Sequence, residues 1–114
     1  MRKIGWIGAG IMGQPMVIHL LNKGYEVHVY ARHPERVEQA KNAGAILEES
    51  IESLTSNVDV ICTMVGFPSD VKEVYDVIFS CIEAGKTCID FTTSSPKLAK
   101  ELYTKGKELG VHVV

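Results

Sequence analysis

Cysteine is scarce and unpaired in this 114-residue chain: Cys62, Cys81 and Cys88 are odd in number and form no C-x-x-C. Such spacing argues against a disulfide framework and against a zinc site. Reduced, mostly buried thiols and no metal are the expectation. No apolar run reaches the roughly 18 residues that a membrane helix needs. The N-terminus enters an apolar strand at once, without a signal-peptide pattern, so a cytoplasmic chain with no membrane partner is expected. Basic surplus is missing too. Net charge is −2 and the 12 Lys and Arg residues are dispersed, which excludes the basic stripe that nucleic-acid binding requires. Histidine is scattered, at positions 19, 28, 33 and 112, and no catalytic set can be assembled from it. What remains, at 46% hydrophobic and 23% charged, is the composition of one globular domain.

The stretch Ile4-Gly5-Trp6-Ile7-Gly8-Ala9-Gly10-Ile11-Met12-Gly13 organises the rest. An apolar strand runs into G-x-G-x-x-G. The first glycine permits a tight turn, the second lets a pyrophosphate approach the backbone, and the third allows close helix–sheet packing. A helix beginning near Ile11 would aim unpaired N–H groups and a positive dipole end at the phosphates. Met16, Leu20 and Leu21 form its apolar stripe and Lys23-Gly24 its stop, after which Tyr25–Tyr30 reads as a second strand. That is a βαβ unit of about 30 residues. Gly8, Ala9, Gly10, Ile11, Met12 and Gly13 are therefore the candidate cradle for a dinucleotide; the bland alternative is a tight βα turn.

Beyond strand two, Arg32-His33-Pro34-Glu35 opens a helix to about Asn42, ended by Gly44. Ala45–Leu47 is a short edge strand, and Ser50 caps a brief helix carrying Ile51 and Leu54. Val58–Val65 is a near-continuous apolar run, fit for a parallel strand buried on both faces. Ser69 reads as the cap of a helix with Val71, Val74, Tyr75, Ile78 and Ile82 at helical spacing, ending at Gly85. Thr87–Phe91 is strand five. Ser95-Pro96 opens a helix with Leu98, Leu102 and Leu109 inward, and Val111–Val114 is strand six after Gly110. Six strands alternating with five helices specify a doubly wound parallel α/β sheet, a Rossmann fold, in the order 3-2-1-4-5-6. Because the last apolar strand is unfinished, residues 1–114 are expected to be the dinucleotide-binding domain of a longer protein.

At the end of strand two, where NAD-type folds place an Asp or Glu for the ribose 2′-hydroxyl, the chain reads Tyr30-Ala31-Arg32-His33, with no acid until Glu35. Arg32 offers a planar fork of donors suited to a 2′-phosphate, with His33 as a helper. NADP is thus expected in preference to NAD. The alternative for Arg32 is a solvated surface side chain.

Trp6–Met16 with Leu20-Leu21-Asn22-Lys23-Gly24, Thr63-Met64-Val65-Gly66-Phe67-Pro68 and Asp90-Phe91-Thr92-Thr93-Ser94-Ser95-Pro96, in this order, resemble the N-terminal signature of the β-hydroxyacid dehydrogenases. That family includes 3-hydroxyisobutyrate dehydrogenase, tartronate semialdehyde reductase and 6-phosphogluconate dehydrogenase. Ala9, Val17 and Gly66 depart from its usual residues. The resemblance implies that Met64 and Val65 lie along the cofactor and that Thr93 meets its nicotinamide-ribose end. It implies an oxidoreductase that interconverts a small β-hydroxy acid and its carbonyl partner. In the family, a serine–glycine segment after strand six holds the substrate and a lysine on a later helix transfers the proton. Both would lie beyond Val114, so no catalytic residue is assigned within the chain and the chain alone is expected to be inactive. Homo-oligomers would form through the absent helical domain. A non-catalytic nucleotide-binding or redox-sensing module is the competing reading, since fold does not determine function.

Overall fold

The computed structural model describes residues 3–8, 14–64, 68–91 and 96–114. Its strands are β1 (Lys3–Ile7), β2 (Glu26–Tyr30), β3 (Ile46–Leu47), β4 (Val60–Thr63), β5 (Thr87–Asp90) and β6 (His112–Val113). They form one sheet in the order β3-β2-β1-β4-β5-β6, and each neighbouring pair is parallel. This is the doubly wound sheet expected from the alternation of elements. The helices are α1 (Gln14–Asn22), α2 (Glu38–Asn42), α3 (Ile51–Asn57), α4 (Pro68–Cys81) and α5 (Pro96–Glu108).

Alternation along β1 splits the core in two. Ile4 and Trp6 join Val17, Val27, Val29, Val37 and Ala40 on the face covered by α1 and α2. Ile7 joins Leu54, Val71, Tyr75, Ile78 and Leu102 on the face covered by α3, α4 and α5. Gly5 lies on the second face, where a Cβ would stand 2.6 Å from Leu54 Cδ2 and 2.8 Å from Val58 Cγ2. Its missing side chain is what lets α3 settle on β1.

Several boundaries differ from those expected. The segment after Pro34 is a 3-10 turn, Pro34–Val37, followed by the short α2. Val37 breaks the regular path at φ −115° and ψ 23° while its side chain is wholly buried, so packing of that residue overrides continuous winding. Ser69 is not a cap, because α4 already begins at Pro68, a residue whose fixed φ suits the first helical position. That helix stops at Cys81; Gly85, at φ +93°, shapes the following turn and donates to Gly110 O at 2.8 Å. On α1 the inward residue is Val17, wholly buried, with Leu20 and Leu21 half-buried and Met16 exposed. The strand expected over Val58–Val65 is shortened to Val60–Thr63; Val58 instead closes α3 in extended conformation. Ser50 does cap α3: its Oγ accepts from Ser53 N–H at 3.0 Å, and Ser53 Oγ accepts in return from Ser50 N–H at 3.4 Å.

Under α3 lies a charged cluster. His28 Nε2 is 2.7 Å from Glu26 Oε2 and Nδ1 is 2.5 Å from Glu48 Oε2. Each ring nitrogen of His28 thus faces a carboxylate oxygen. Asn57 Nδ2 and Ser53 Oγ donate to Glu48, each at 3.0 Å. Burial pushes the Glu48 carboxyl up, but the hydrogen bonds from Asn57, His28 and Ser53 outweigh it and hold the group below the ordinary value of 4.5.

Gly5→Ala is expected to lower the unfolding free energy by about 1–3 kcal/mol, the typical cost of overpacking, as read from urea denaturation. A second expectation concerns acid. Because the folded Glu48 titrates below its unfolded value, its stabilisation is complete above the ordinary carboxylate range and is lost as pH falls through the folded pKa. Glu48→Gln should therefore cost about 1–3 kcal/mol at neutral pH and flatten the loss of stability below pH 4.5, measured as urea midpoints across an acid series.

Candidate functional site

Registration across the sheet builds the candidate site. Ile7 pairs with Tyr30 on one side and Thr63 on the other, and Thr63 pairs with Asp90. The last residues of β2, β1, β4 and β5 thus stand in one row. The next residue of three of these strands donates back to that row: Gly8 N–H to Tyr30 O at 3.2 Å, Met64 N–H to Ile7 O at 2.9 Å and Phe91 N–H to Thr63 O at 2.8 Å. Four connecting segments consequently leave the sheet at one level. The chain winds outward from β1 in both directions, to β2 and β3 on one side and to β4, β5 and β6 on the other. The carboxyl ends of strands beside such a switch point are where open α/β sheets take their ligands.

Of the residues singled out from the sequence, three are described. Gly8 opens the glycine-rich segment at φ +87°, a conformation that side chains with a Cβ rarely adopt. Met64 is half-buried, packed against the core on the α1 side of β4. Arg32 is exposed, two residues beyond the end of β2. Ala9, Gly10, Ile11, Met12, Gly13, Val65 and Thr93 lie outside the described residues. Near Arg32, His33 Nδ1 stands 3.7 Å from Glu35 Oε1, both side chains exposed. Glu35 lies in the first turn of the 3-10 segment, where its charge complements unpaired N–H groups.

Two features of this edge were not found from the sequence. Gln14, buried at the start of α1, accepts from Ala40 N–H at 3.3 Å and so ties α1 to α2. Thr63, buried at the end of β4, donates from Oγ1 to Asp90 Oδ1 at 2.9 Å and lies 3.1 Å from Tyr75 Oη. Burial raises the Tyr75 phenol far above its ordinary value, so it is neutral and able to donate. The available signal was a polar residue closing each of two apolar strands.

On the α1 face, Trp6, Met16, Cys62, Ile89 and Phe91 help to line an apolar cavity of about 430 Å³. Trp6 and Phe91 stack there, with centroids 5.6 Å apart and planes at 16°. Burial pushes the Cys62 thiol up to about 11 and the Cys88 thiol up to about 12; both are buried and unbridged. Such protonated, shielded sulfurs react poorly. Among the described residues no cluster of His, Cys, Asp and Glu could hold a metal ion, and no helix is long and apolar enough to cross a membrane.

A parallel sheet with a positive-φ glycine at its switch point defines a nucleotide-binding type of α/β domain. Residues 3–114 match the family model described as the NAD binding domain of 6-phosphogluconate dehydrogenase, and the chain belongs to that family. It is 44% identical over 110 residues to the uncharacterized oxidoreductase YkwC of Bacillus subtilis, a match covering 94% of this chain and 38% of that protein. A solved 3-hydroxyisobutyrate dehydrogenase of Mycobacterium tuberculosis with L-serine superposes with a TM-score of 0.92 at 25% identity, over 99% of this chain and 39% of that one. An imine reductase of Myxococcus stipitatus in complex with NADP+ does so with a TM-score of 0.88 at 26% identity, over 97% and 39%. The chain therefore spans less than two fifths of each of these relatives.

Proposed function

We propose that residues 1–114 are the cofactor domain of an NADP-dependent oxidoreductase that interconverts a small β-hydroxy acid and its carbonyl partner. The observation that carries this reading is the level row of strand ends at the switch point, entered from β1 through Gly8 at φ +87°. The family match supports the nicotinamide dinucleotide, and the likeness to a 3-hydroxyisobutyrate dehydrogenase supports the substrate class. Likeness to an NADP+-bound imine reductase is compatible with the phosphorylated cofactor.

In this reading Gly8, Ala9, Gly10, Ile11, Met12 and Gly13 hold the pyrophosphate on backbone N–H groups. Arg32 takes the 2′-phosphate, Met64 and Val65 lie along the cofactor, and Thr93 meets its nicotinamide-ribose end. The bound cofactor supplies the hydride chemistry; this chain orients it. Substrate binding, proton transfer and homo-oligomer contacts belong to a further part of a longer, cytoplasmic polypeptide, and the 114-residue chain by itself turns nothing over. Likeness to a 3-hydroxyisobutyrate dehydrogenase favours this reading over a non-catalytic nucleotide-binding or redox-sensing module.

Arg32→Asp is expected to lower the preference for NADP over NAD by on the order of 1.5–3 kcal/mol, the worth of a hydrogen bond to a charged group, or about tenfold or more in the affinity ratio. Isothermal titration of both cofactors against wild type and variant checks it. A wild type that prefers NAD, or an unchanged ratio, removes Arg32 from the site. Gly10→Val should abolish dinucleotide binding while leaving the circular dichroism spectrum native, because a side chain there fills the phosphate space. Undiminished affinity would make the glycine turn purely structural.

A further inference from the structure

The ends of β4 and β5 carry a buried polar chain that packing alone does not require. Thr63 and Tyr75 are both wholly buried, and the core around Tyr75 is otherwise apolar, with Ile7, Ile61, Val71 and Ile78 among its members. A phenylalanine and a valine would fill the same space with no hydroxyl to desolvate. The hydroxyls instead form a directed sequence. Thr63 has one hydroxyl proton and gives it to Asp90 Oδ1 at 2.9 Å, so Tyr75 Oη, 3.1 Å from Thr63 Oγ1, is the donor in the other contact. Donation runs from Tyr75 through Thr63 to a carboxylate, and a charged acceptor at its end strengthens both links.

Its location gives this chain a use. Thr63 is the last residue of β4 and Asp90 the last of β5, while Tyr75 belongs to the helix that follows β4. Thr63 also holds the exit of β5 by its backbone, accepting from Phe91 N–H at 2.8 Å. Three elements are thereby joined where the segments 64–67 and 91–95 depart, the two segments laid along the cofactor in the function proposed above. We infer that Tyr75 and Thr63 are positioning residues for the dinucleotide: by holding Asp90 they fix the end of β4 against the end of β5, without touching the cofactor. This inference rests on the cofactor-domain reading.

The experiment compares the 114-residue wild type with Tyr75→Phe, Thr63→Val, the double variant and Thr63→Ser. NADPH is titrated by fluorescence at a temperature where circular dichroism shows each protein folded, and melting temperatures are recorded separately. Tyr75→Phe and Thr63→Val should each weaken NADPH binding by about threefold to tenfold, the range of one hydrogen bond. The double variant should be no weaker than about the worse single one, because both interrupt the same chain. Thr63→Ser, which keeps the hydroxyl, should stay within about twofold of wild type. A purely structural role would lower melting temperature and leave the affinity of folded protein unchanged, and that result for Tyr75→Phe overturns the inference even if Thr63→Val fails to fold. A wild type that binds neither NADPH nor NADH overturns the cofactor reading, and this inference with it; binding by the wild type with unaffected variants overturns the inference alone.

Discussion

The constraint on which the structure depends is the complete pairing of β1. Its residues pair with β2 on one side and β4 on the other, so the strand presents its side chains alternately to two covered faces and must be apolar on both. Ile4, Trp6 and Ile7 meet that demand, and Gly5 admits α3 where any side chain would collide with Leu54 and Val58. Beyond Ile7 the chain has to leave the plane, and Gly8 does so at φ +87° while still donating to Tyr30 O. Strand exits on both sides are set by the same ladder. The common level of these strand ends is therefore a by-product of central-strand pairing.

Most of the fold was legible because its determinants are local. Alternation of strands with helices, together with glycine stops and the right-handedness of parallel crossovers, leaves few strand orders to choose from. Ser50 could be read as a cap because its partner, Ser53, is three residues away. Errors arose where tertiary packing decides. Met16 and Val17 are adjacent, and only the seating of α1 on the sheet determines that Val17 is buried. Val37 interrupts its helix to reach the core, which no helical period records. The Thr63 contacts span 12 and 27 residues, so Tyr75 could be read from sequence only as part of an apolar stripe. At the site, the glycine pattern and Arg32 were readable as types at positions, whereas the level of the strand exits required the register.

The two faces of the sheet are finished differently. On one, α3, α4 and α5 close over Ile61, Cys88 and Val111. On the other, α1 and α2 leave an apolar cavity along β4 and β5, with Phe91 exposed at its rim. This cavity is unsuited to a pyrophosphate, since its lining is apolar apart from His19; the phosphates need backbone donors and positive charge. Chemical character thus sets this cavity apart from the strand ends where the cofactor site is proposed.

Where the carboxylates are engaged bears on which nicotinamide the domain takes. An acid that accepts hydrogen bonds from a ribose 2′-hydroxyl must stand at the end of β2 and be available. Glu26 begins that strand and holds His28, which also takes Glu48 from beyond β3. Glu35 comes after Pro34, in the first 3-10 turn, and lies beside His33. Glu26 and Glu48 are thus engaged by His28, and none of the three acids stands at the end of β2. Between β2 and Pro34 the exposed side chains are Arg32 and His33, and the cofactor reading proposed above gives the 2′-phosphate to Arg32 because a guanidinium offers a planar fork of donors.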